Sequence, residues 1–426
     1  MLERYSLSPM RELWSLETQY EHWLQVELAT VGAQEEFGEV PAGTFKAVKQ
    51  AIHIDVARIG YVENEIKHDL LAFIRCLEEQ AGKAGRFIHR GLTSSDVKDT
   101  ALSMQMRDAL TLVLDATKRL RGVLLEQARQ YRDLVIVGRT HGMHAEPTTL
   151  GLKFFLWHAE IVRDISRLER AREIISIGKL SGPVGTYSRV SADVERLACE
   201  RLQLQPAKVA SQILQRDRHA EVIAAIAITG TTLEKIALEI RHLSRSEVAE
   251  IEEPAPEGSS SMPHKRNPIT SERICGLARI LRGNVQSALE NVALWHERDM
   301  SHSSVERIII PDSFSLIHYM LVKMTGLIAG LVVHRKNIEK NTRLAKGAIY
   351  SQILLIELVE RGVSRGVAHQ AIKTASLTAS RDNRSLLSVL QEDSKLAKLL
   401  EKKVFNEQAF QDELRTTSQR IIAQEK

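Results

Sequence analysis

A chain of 426 residues that is 43% hydrophobic can bury a substantial core, and its size fits two or three domains. Its 58 basic and 54 acidic residues leave a net charge of +4. That imbalance is too small to signal a nucleic-acid partner and mildly favours an anionic small ligand; 5% aromatics leaves few rings on which bases could stack. No apolar run approaches the roughly 18 to 20 residues that cross a bilayer, which argues against a membrane partner, and MLERYSLSPMRELW lacks the basic-then-apolar order of a secretory leader. A cytoplasmic location is therefore expected. Cys76, Cys199 and Cys275 are odd in number and far apart, which fits buried thiols better than a disulfide framework or a CxxC metal site.

Proline stands only at positions 9, 41, 147, 183, 206, 254, 256, 263, 268 and 311. Because proline breaks helix interiors, the proline-free spans 42 to 146 and 312 to 426 read as helical. Leu102, Met106, Leu110, Val113, Thr117, Leu120 and Leu124 recur in steps of three and four, marking one face of a helix over 96 to 131. LVIVG at 134 to 138 is a local strand candidate, and GPVGTYS at 182 to 188 is a glycine-punctuated loop. Stretches 153 to 177, 219 to 250 and 269 to 295 repeat the helical texture, and IEEPAPE at 251 to 257 is the nearest thing to a linker. The pattern predicts an all-α protein built around a long bundle.

Polar clusters gather where these helices should end: IKHD (66 to 69), IHRGLTSSD (88 to 96), GRTHGMHAEP (138 to 147), SQILQRDRHAE (211 to 221), GSSSMPHKRNP (258 to 268) and LWHERDMSHSSVER (294 to 307). Each has a bland reading, since TSSD is also an ordinary helix cap and a lone histidine is more often structural than catalytic. His141 and His144 are spaced as an i, i+3 metal pair, but Gly142 between them weakens the case for a regular helix. GSSSM is not a GxSxG elbow, and no GxxxxGK[ST] phosphate loop is present. A helix over 96 to 131 would be roughly 50 Å long. GLTSSD at its start and GRTHGMHAEP after its end would then be far apart in one chain, so a site using both would draw on different subunits.

Asn267 followed by Pro268 reads as an N-cap and first helical residue. A helix N-terminus beside the Lys265 cation and the Asn267 amide would receive a carboxylate, above all one gaining a second negative charge after proton loss from the adjacent carbon. Gly258 and the acidic tether would let the serine-rich segment close as a lid.

GSSSMPHKRNP resembles the GSSxMPxKxNP signature of the fumarase/aspartase superfamily, whose members cleave C–N or C–O bonds and release fumarate. GLTSSD and GRTHGMHAEP stand in the order and spacing of two further superfamily segments. ERYS followed by PM at 3 to 10, KHD at 67 to 69, QRDRHAE and WHERDMSHSSVER resemble the branch acting on succinylated purine nucleotides. The resemblance spans nearly the whole chain and weakens after about residue 365. It implies a homotetramer with each active site drawing on three chains, no metal and no organic cofactor. The implied domains are an N-terminal helical domain (1–93), a central long-helix bundle carrying the signature loop (94–340) and a C-terminal helical domain (341–426). The implied reaction is β-elimination of fumarate from a succinylated purine nucleotide or its imidazole precursor.

Residue by residue, the resemblance makes Ser259 the general base at the β-carbon of the succinyl group and His141 the general acid at the departing nitrogen. His68, partnered with Glu272, holds substrate and orients the acid, and Lys265 and Asn267 stabilise the aci-carboxylate. Thr93, Ser94, Thr140 and Gln212 contact the succinyl part, and His89 lies near the phosphate. Arg4, Tyr5, Lys67, Asp69, Arg298, Ser303 and Arg307 complete the substrate-binding set. A serine is a poor base in water and chemistry alone favours a histidine, so the role of Ser259 rests on resemblance. The segment before GSSSM is about three residues shorter than in bacterial relatives. A carboxymuconate cycloisomerase and a non-catalytic helical scaffold stay open as rivals.

Overall fold

The computed structural model describes residues 2–254, 262, 264–400 and 406–425. A 3-10 turn at Glu3–Tyr5 precedes α1 (Met10–Leu13), α2 (Leu16–Glu36), α3 (Thr44–Ala51), α4 (Val56–Ile66), α5 (Asp69–Ala81) and α6 (Ser94–Gln130). A hairpin of β1 (Val135–Thr140) and β2 (Met143–Thr149) leads to α7 (Leu150–Ile175), β3 (Ile177–Gly178), α8 (Ala192–Arg201), β4 (Gln205–Pro206) and α9 (Asp217–Leu243). Then come β5 (Ile251–Glu252), α10 (Ile269–Glu290), α11 (Ser301–Ala329), β6 (Val332–Val333) and α12 (Arg335–Leu344). The chain finishes with α13 (Ser351–Glu360), α14 (Arg365–Arg381), α15 (Leu386–Leu390), α16 (Ser394–Leu399) and α17 (Glu407–Ile422). The strands pair only two by two, so the all-α class stands. The chain divides into two compact units, Met1–Arg119 with Val162–Glu234 and Ile274–Lys323, and Leu120–Ile161 with Lys235–Arg273 and Met324–Lys426.

The long helix expected over 96 to 131 is α6, and Met106, Leu110, Val113, Thr117, Leu120 and Leu124 of its predicted stripe are all buried. Its start is a capping arrangement: the Asp96 carboxylate accepts from the Thr93 amide at 2.8 Å. In the first unit, α2, α4, α5, α8 and the start of α6 share one apolar core. Phe73 sits in it with ring centroids 5.8 Å from Tyr20 and 5.5 Å from Trp23, so truncating Phe73 to alanine should cost about 3–5 kcal/mol. At Gly230 of α9, a Cβ would lie 2.6 Å from Leu281 of α10 and 3.7 Å from Met320 of α11, so these helices pack closely there because the residue has no side chain. Pro311 lies inside α11 despite the general rule, and having no N–H it leaves the Arg307 carbonyl without its helical donor.

In the second unit the strand expected from LVIVG is β1, paired antiparallel with β2. The register slips between Val137 and Arg139, where a Cβ on Gly138 would lie 2.5 Å from the Glu146 carbonyl. Val137 of the hairpin packs in a small cluster with Ile349 and Tyr350, and α13 to α16 enclose a separate cluster from Leu354 to Leu400.

Two helices end well short of expectation: α10 stops at Glu290 rather than running to 295, and α9 stops before 250. The stretch 219 to 250 stops being helical at Leu243, because the Glu250 amide turns back onto the Leu243 carbonyl at 3.0 Å. The Glu250 carboxylate is then gripped by Arg139 and Asn341. The acidic segment expected as a linker is, in its described part, fixed structure. Ile251 and Glu252 pair with β6, Glu252 binds Arg266 and His334, and Glu253 is buried. The three cysteines are free and buried, as their spacing suggested.

Gly185, in the loop expected from GPVGTYS, has φ +79°, and a Cβ there would lie 1.9 Å from the Ala210 carbonyl oxygen. Gly185→Ala should therefore cost at least about 2 kcal/mol in denaturant unfolding. An unchanged transition midpoint would show that the two segments do not need this approach.

Candidate functional site

The polar clusters occupy helix ends and turns, and the structure collects them into two groups, one in each unit. In the first unit a cleft of about 320 Å³ is lined by Trp14, Trp23, Ser95, Lys98, Arg298, Ser303 and Arg307 among others. Lys98, Arg298 and Arg307, with Arg216 deeper in, thus meet an aromatic and apolar wall, an arrangement suited to an anionic ligand with a flat apolar part. Asp69, the first residue of α5, accepts from Lys98 at 2.5 Å and from Arg307 at 2.6 Å. Burial acts against its charge, but these two cations outweigh it and hold its carboxyl down at about 2. Arg298 donates to Ser95 Oγ at 3.0 Å, to Gln212 Oε1 at 3.5 Å and to His302 Nε2 at 3.3 Å.

The floor of the cleft is a buried ionic network of Asp99, Arg216, His302 and Glu306. The Arg216 guanidinium donates to Asp99 at 2.6 Å and to Glu306 at 2.8 Å, and the Glu306 carboxylate lies 3.0 Å from His302 Nδ1. A carboxylate only accepts, so Nδ1 carries the hydrogen and Nε2 is left to accept from Arg298. Glu306 is held at about 2 against the effect of burial, by His302 and Arg216. His219 is buried beside this network with neither ring nitrogen partnered among the described residues, and burial with the nearby Arg216 charge pushes it down to about 4, so its ring is neutral.

The remaining first-unit residues of the expected set are local. Lys67 has left-handed φ 55° at the end of α4, and His68 caps α5 by accepting the Leu71 amide on Nδ1 at 3.2 Å. His89 also has left-handed φ, 57°, and is bound by Glu27. Thr93 and Ser94 open α6, Arg4 is exposed in the first turn, and the Tyr5 ring lies 5.3 Å from that of Tyr319.

In the second unit, Thr140 and His141 are exposed at the hairpin tip. Thr140 pairs with Met143, so His141 and Gly142 form a two-residue turn, with φ 54° and 76°. That turn type ordinarily takes Asn-Gly, and a histidine there stands in a backbone region that side chains disfavour. His141 and His144 therefore lie on a hairpin, not on one face of a helix. A second hollow of about 740 Å³ is lined by Arg241, His242, Arg245, Lys265, Asn267 and Glu272 among others. Its cations outnumber Glu272, and Lys265 is exposed.

The helix start expected at Asn267 and Pro268 is shifted by one residue, because the Pro268 carbonyl accepts the first helical bond, from the Glu272 amide. The expected anion site at this helix end is also corrected. The buried Glu253 carboxylate takes the Thr270 and Ser271 amides at 3.1 and 2.8 Å and the Ser271 hydroxyl at 2.6 Å. Those amides are filled by the protein's own carboxylate, and the Lys265 and Asn267 side chains line the hollow beside them. Ser259, the expected base, and Gly258, the expected hinge, lie outside the described residues.

Comparison with known proteins decides the family. Residues 8–283 match the family described as Lyase, and residues 347–420 match Adenylosuccinate lyase C-terminus. The adenylosuccinate lyase of Thermotoga maritima is 44% identical over 410 residues, covering 96% of this chain and 95% of that protein. The chain belongs to the adenylosuccinate lyase family. The Synechocystis adenylosuccinate lyase is 46% identical over 385 residues, covering 88% of this chain and 89% of that protein. Among solved structures, a fumarate lyase from Mesorhizobium aligns with TM-score 0.88 at 26% identity, covering 98% of this chain and 96% of that one. The 3-carboxy-cis,cis-muconate lactonizing enzyme from Pseudomonas putida gives TM-score 0.88 at 25% identity, covering 98% and 97%.

Sequence patterns alone do not single out Lys98, Asp99, Arg216 and Glu306, which support the cleft, nor Glu27 and Glu253. Arg216 and Glu306 stand within the quoted clusters, but their pairing joins residues 90 positions apart, which no local pattern reveals.

The Asp69 shift has a pH signature. A carboxyl lowered from the ordinary 3.8 to about 2 contributes stability above the unfolded value and loses it as pH falls through the folded one. The stability gap between the wild type and Asp69→Asn should thus be full above about pH 4 and close toward pH 2 in denaturant titrations. A gap independent of pH would disprove the clamp.

Proposed function

We propose that the chain catalyses β-elimination of fumarate from adenylosuccinate, giving AMP, and from aminoimidazole succinocarboxamide ribotide, giving the corresponding carboxamide. The observation that carries this reading is the 41–46% identity to adenylosuccinate lyases over most of the chain, together with the matched C-terminal segment. The likeness to the lactonizing enzyme is at 25% identity.

In the proposed reaction Ser259 removes a proton from the β-carbon of the succinyl group, and the electron pair enters the adjacent carboxylate as an aci-carboxylate. Lys265 and Asn267 bind that dianionic centre, since a cation and an amide donor favour the form with the added charge. The C–N bond then breaks, the C=C bond of fumarate forms, and His141 gives its proton to the departing nitrogen. The strained, exposed turn of His141 suits a group that must reach a ligand rather than pack in a core. The cleft cations Arg298 and Arg307, with Ser303, take the nucleotide end, and Gln212 contacts the succinyl part; guanidinium forks match phosphate oxygens. Arg4, Tyr5, Lys67, His68, His89, Thr93 and Ser94 complete the first group, while Thr140 and Glu272 belong with the second.

The two groups work together in a homotetramer whose sites each combine residues of three chains, with His68 and Glu272 meeting from different subunits. The unbroken run of α6 from Ser94 to Gln130 supports this, because Thr93 and Ser94 stand at its start and the His141 hairpin follows its end. No helix of the described residues is long and apolar enough to cross a membrane, and we place the enzyme in the cytoplasm.

An ultraviolet assay of the purified protein should show fumarate release from adenylosuccinate and no turnover of carboxymuconate. Ser259→Ala and His141→Ala should each lower turnover by at least about 100-fold. No fumarate from adenylosuccinate would remove the reading, and near-normal turnover by Ser259→Ala would remove the assigned base.

A further inference from the structure

One buried carboxylate serves a residue of the first group and has no place in the chemistry above. Glu27 on α2 has a side chain only 2% exposed, and both of its oxygens are directed at His89. Oε2 accepts from the His89 backbone amide at 2.8 Å, and Oε1 lies 2.7 Å from His89 Nδ1. Because a carboxylate can only accept, Nδ1 must carry hydrogen. The double contact holds a residue whose left-handed backbone, φ 57°, would otherwise be disfavoured. The same helix grips the next residue, since Gln34 Nε2 donates to the Arg90 carbonyl at 3.0 Å.

With Nδ1 committed, Nε2 is the nitrogen left for a ligand, on a side chain 17% exposed. The charged groups acting on the ring are Glu27 from α2, Asp96 from α6 and Glu78 from α5, all acidic, and Asp96 is itself bound by the Lys179 ammonium. Burial favours the neutral ring, but the hydrogen bond and charge of Glu27 outweigh it and raise the imidazole above its ordinary value.

We propose that Glu27 is a positioning residue for His89: its two contacts fix the Nδ1–H form and aim Nε2 at an anionic group of the substrate, with the carboxylate favouring the protonated ring as donor. The proposal rests on the reading that His89 faces the phosphate end of the nucleotide. It makes the His89–Glu27 pair a unit in which the carboxylate never touches substrate yet sets the pH range over which the imidazolium binds phosphate.

The test uses Glu27→Gln, whose amide oxygen can still accept from Nδ1 while the charge is lost. In nitrogen-detected NMR of the ligand-free full-length protein, the variant should lower the His89 titration midpoint by about 1 pH unit or more. For adenylosuccinate, the alkaline limb of kcat/KM should move down with it, carried by KM, with kcat within twofold. His89→Ala should lack that limb, and adding Glu27→Gln to it should change kcat/KM by less than twofold. An unmoved His89 midpoint, or an equal cost of Glu27→Gln in the His89→Ala background, would overturn the proposal and leave Glu27 a packing residue. Absence of any adenylosuccinate turnover would sink the functional reading alone, because the ligand-free titration decides the His89–Glu27 pair either way.

Discussion

The first group of site residues depends on one buried ammonium. Lys179 is fully buried and directs its three hydrogens at Asp96 Oδ1 (2.5 Å), the Gly182 carbonyl (2.9 Å) and the Gln212 carbonyl (3.0 Å). Removing one partner of such a pair would cost about 3–5 kcal/mol, since the remaining charge would be stranded away from water. Asp96 in turn caps α6 at Thr93, so one cation ties the start of the long helix to the glycine loop and to the segment carrying Gln212. Thr93, Ser94 and Gln212 are thereby set by the same interaction, and Arg298 reads the result by donating to both Ser95 and Gln212.

Much of the fold is legible in the sequence because helices announce themselves locally. The stripe from Leu102 to Leu124, the capping residues of TSSD and the proline-free spans mark α6 to within two residues at its start. The hairpin from LVIVG and the loop from GPVGTYS are likewise local signals. What failed was local reading of carboxylates. Glu252 and Glu253 look like part of a solvated acidic tether and Glu250 like the end of a helix, yet each meets a partner brought by another part of the chain: Arg266 with His334, the start of α10, and Arg139. Pro311 misleads in the opposite sense, since a proline tolerated inside α11 leaves no local warning.

The candidate site divides along the same line. Motifs and resemblance drew attention to polar residues at helix ends, where side chains and free backbone groups converge. They could not locate the supports. Asp99, Arg216 and Glu306 form a network only because distant helices meet, and Glu27 reaches His89 across 62 positions. The helix-end anion site inferred at Asn267 was lost for the same reason: Glu253, from outside the motif, had already filled it.

The central claim is that the nucleotide-binding group around Arg298 and Arg307 and the elimination group around His141, Lys265 and the signature loop act in one site contributed by different subunits. Its most direct test is subunit complementation, using Arg307→Ala and His141→Ala, each expected to be nearly inactive alone. After the two are unfolded, mixed and reassembled, hybrid oligomers should recover a substantial fraction of wild-type fumarate release from adenylosuccinate. Verified hybrids as inactive as either parent would contradict the account.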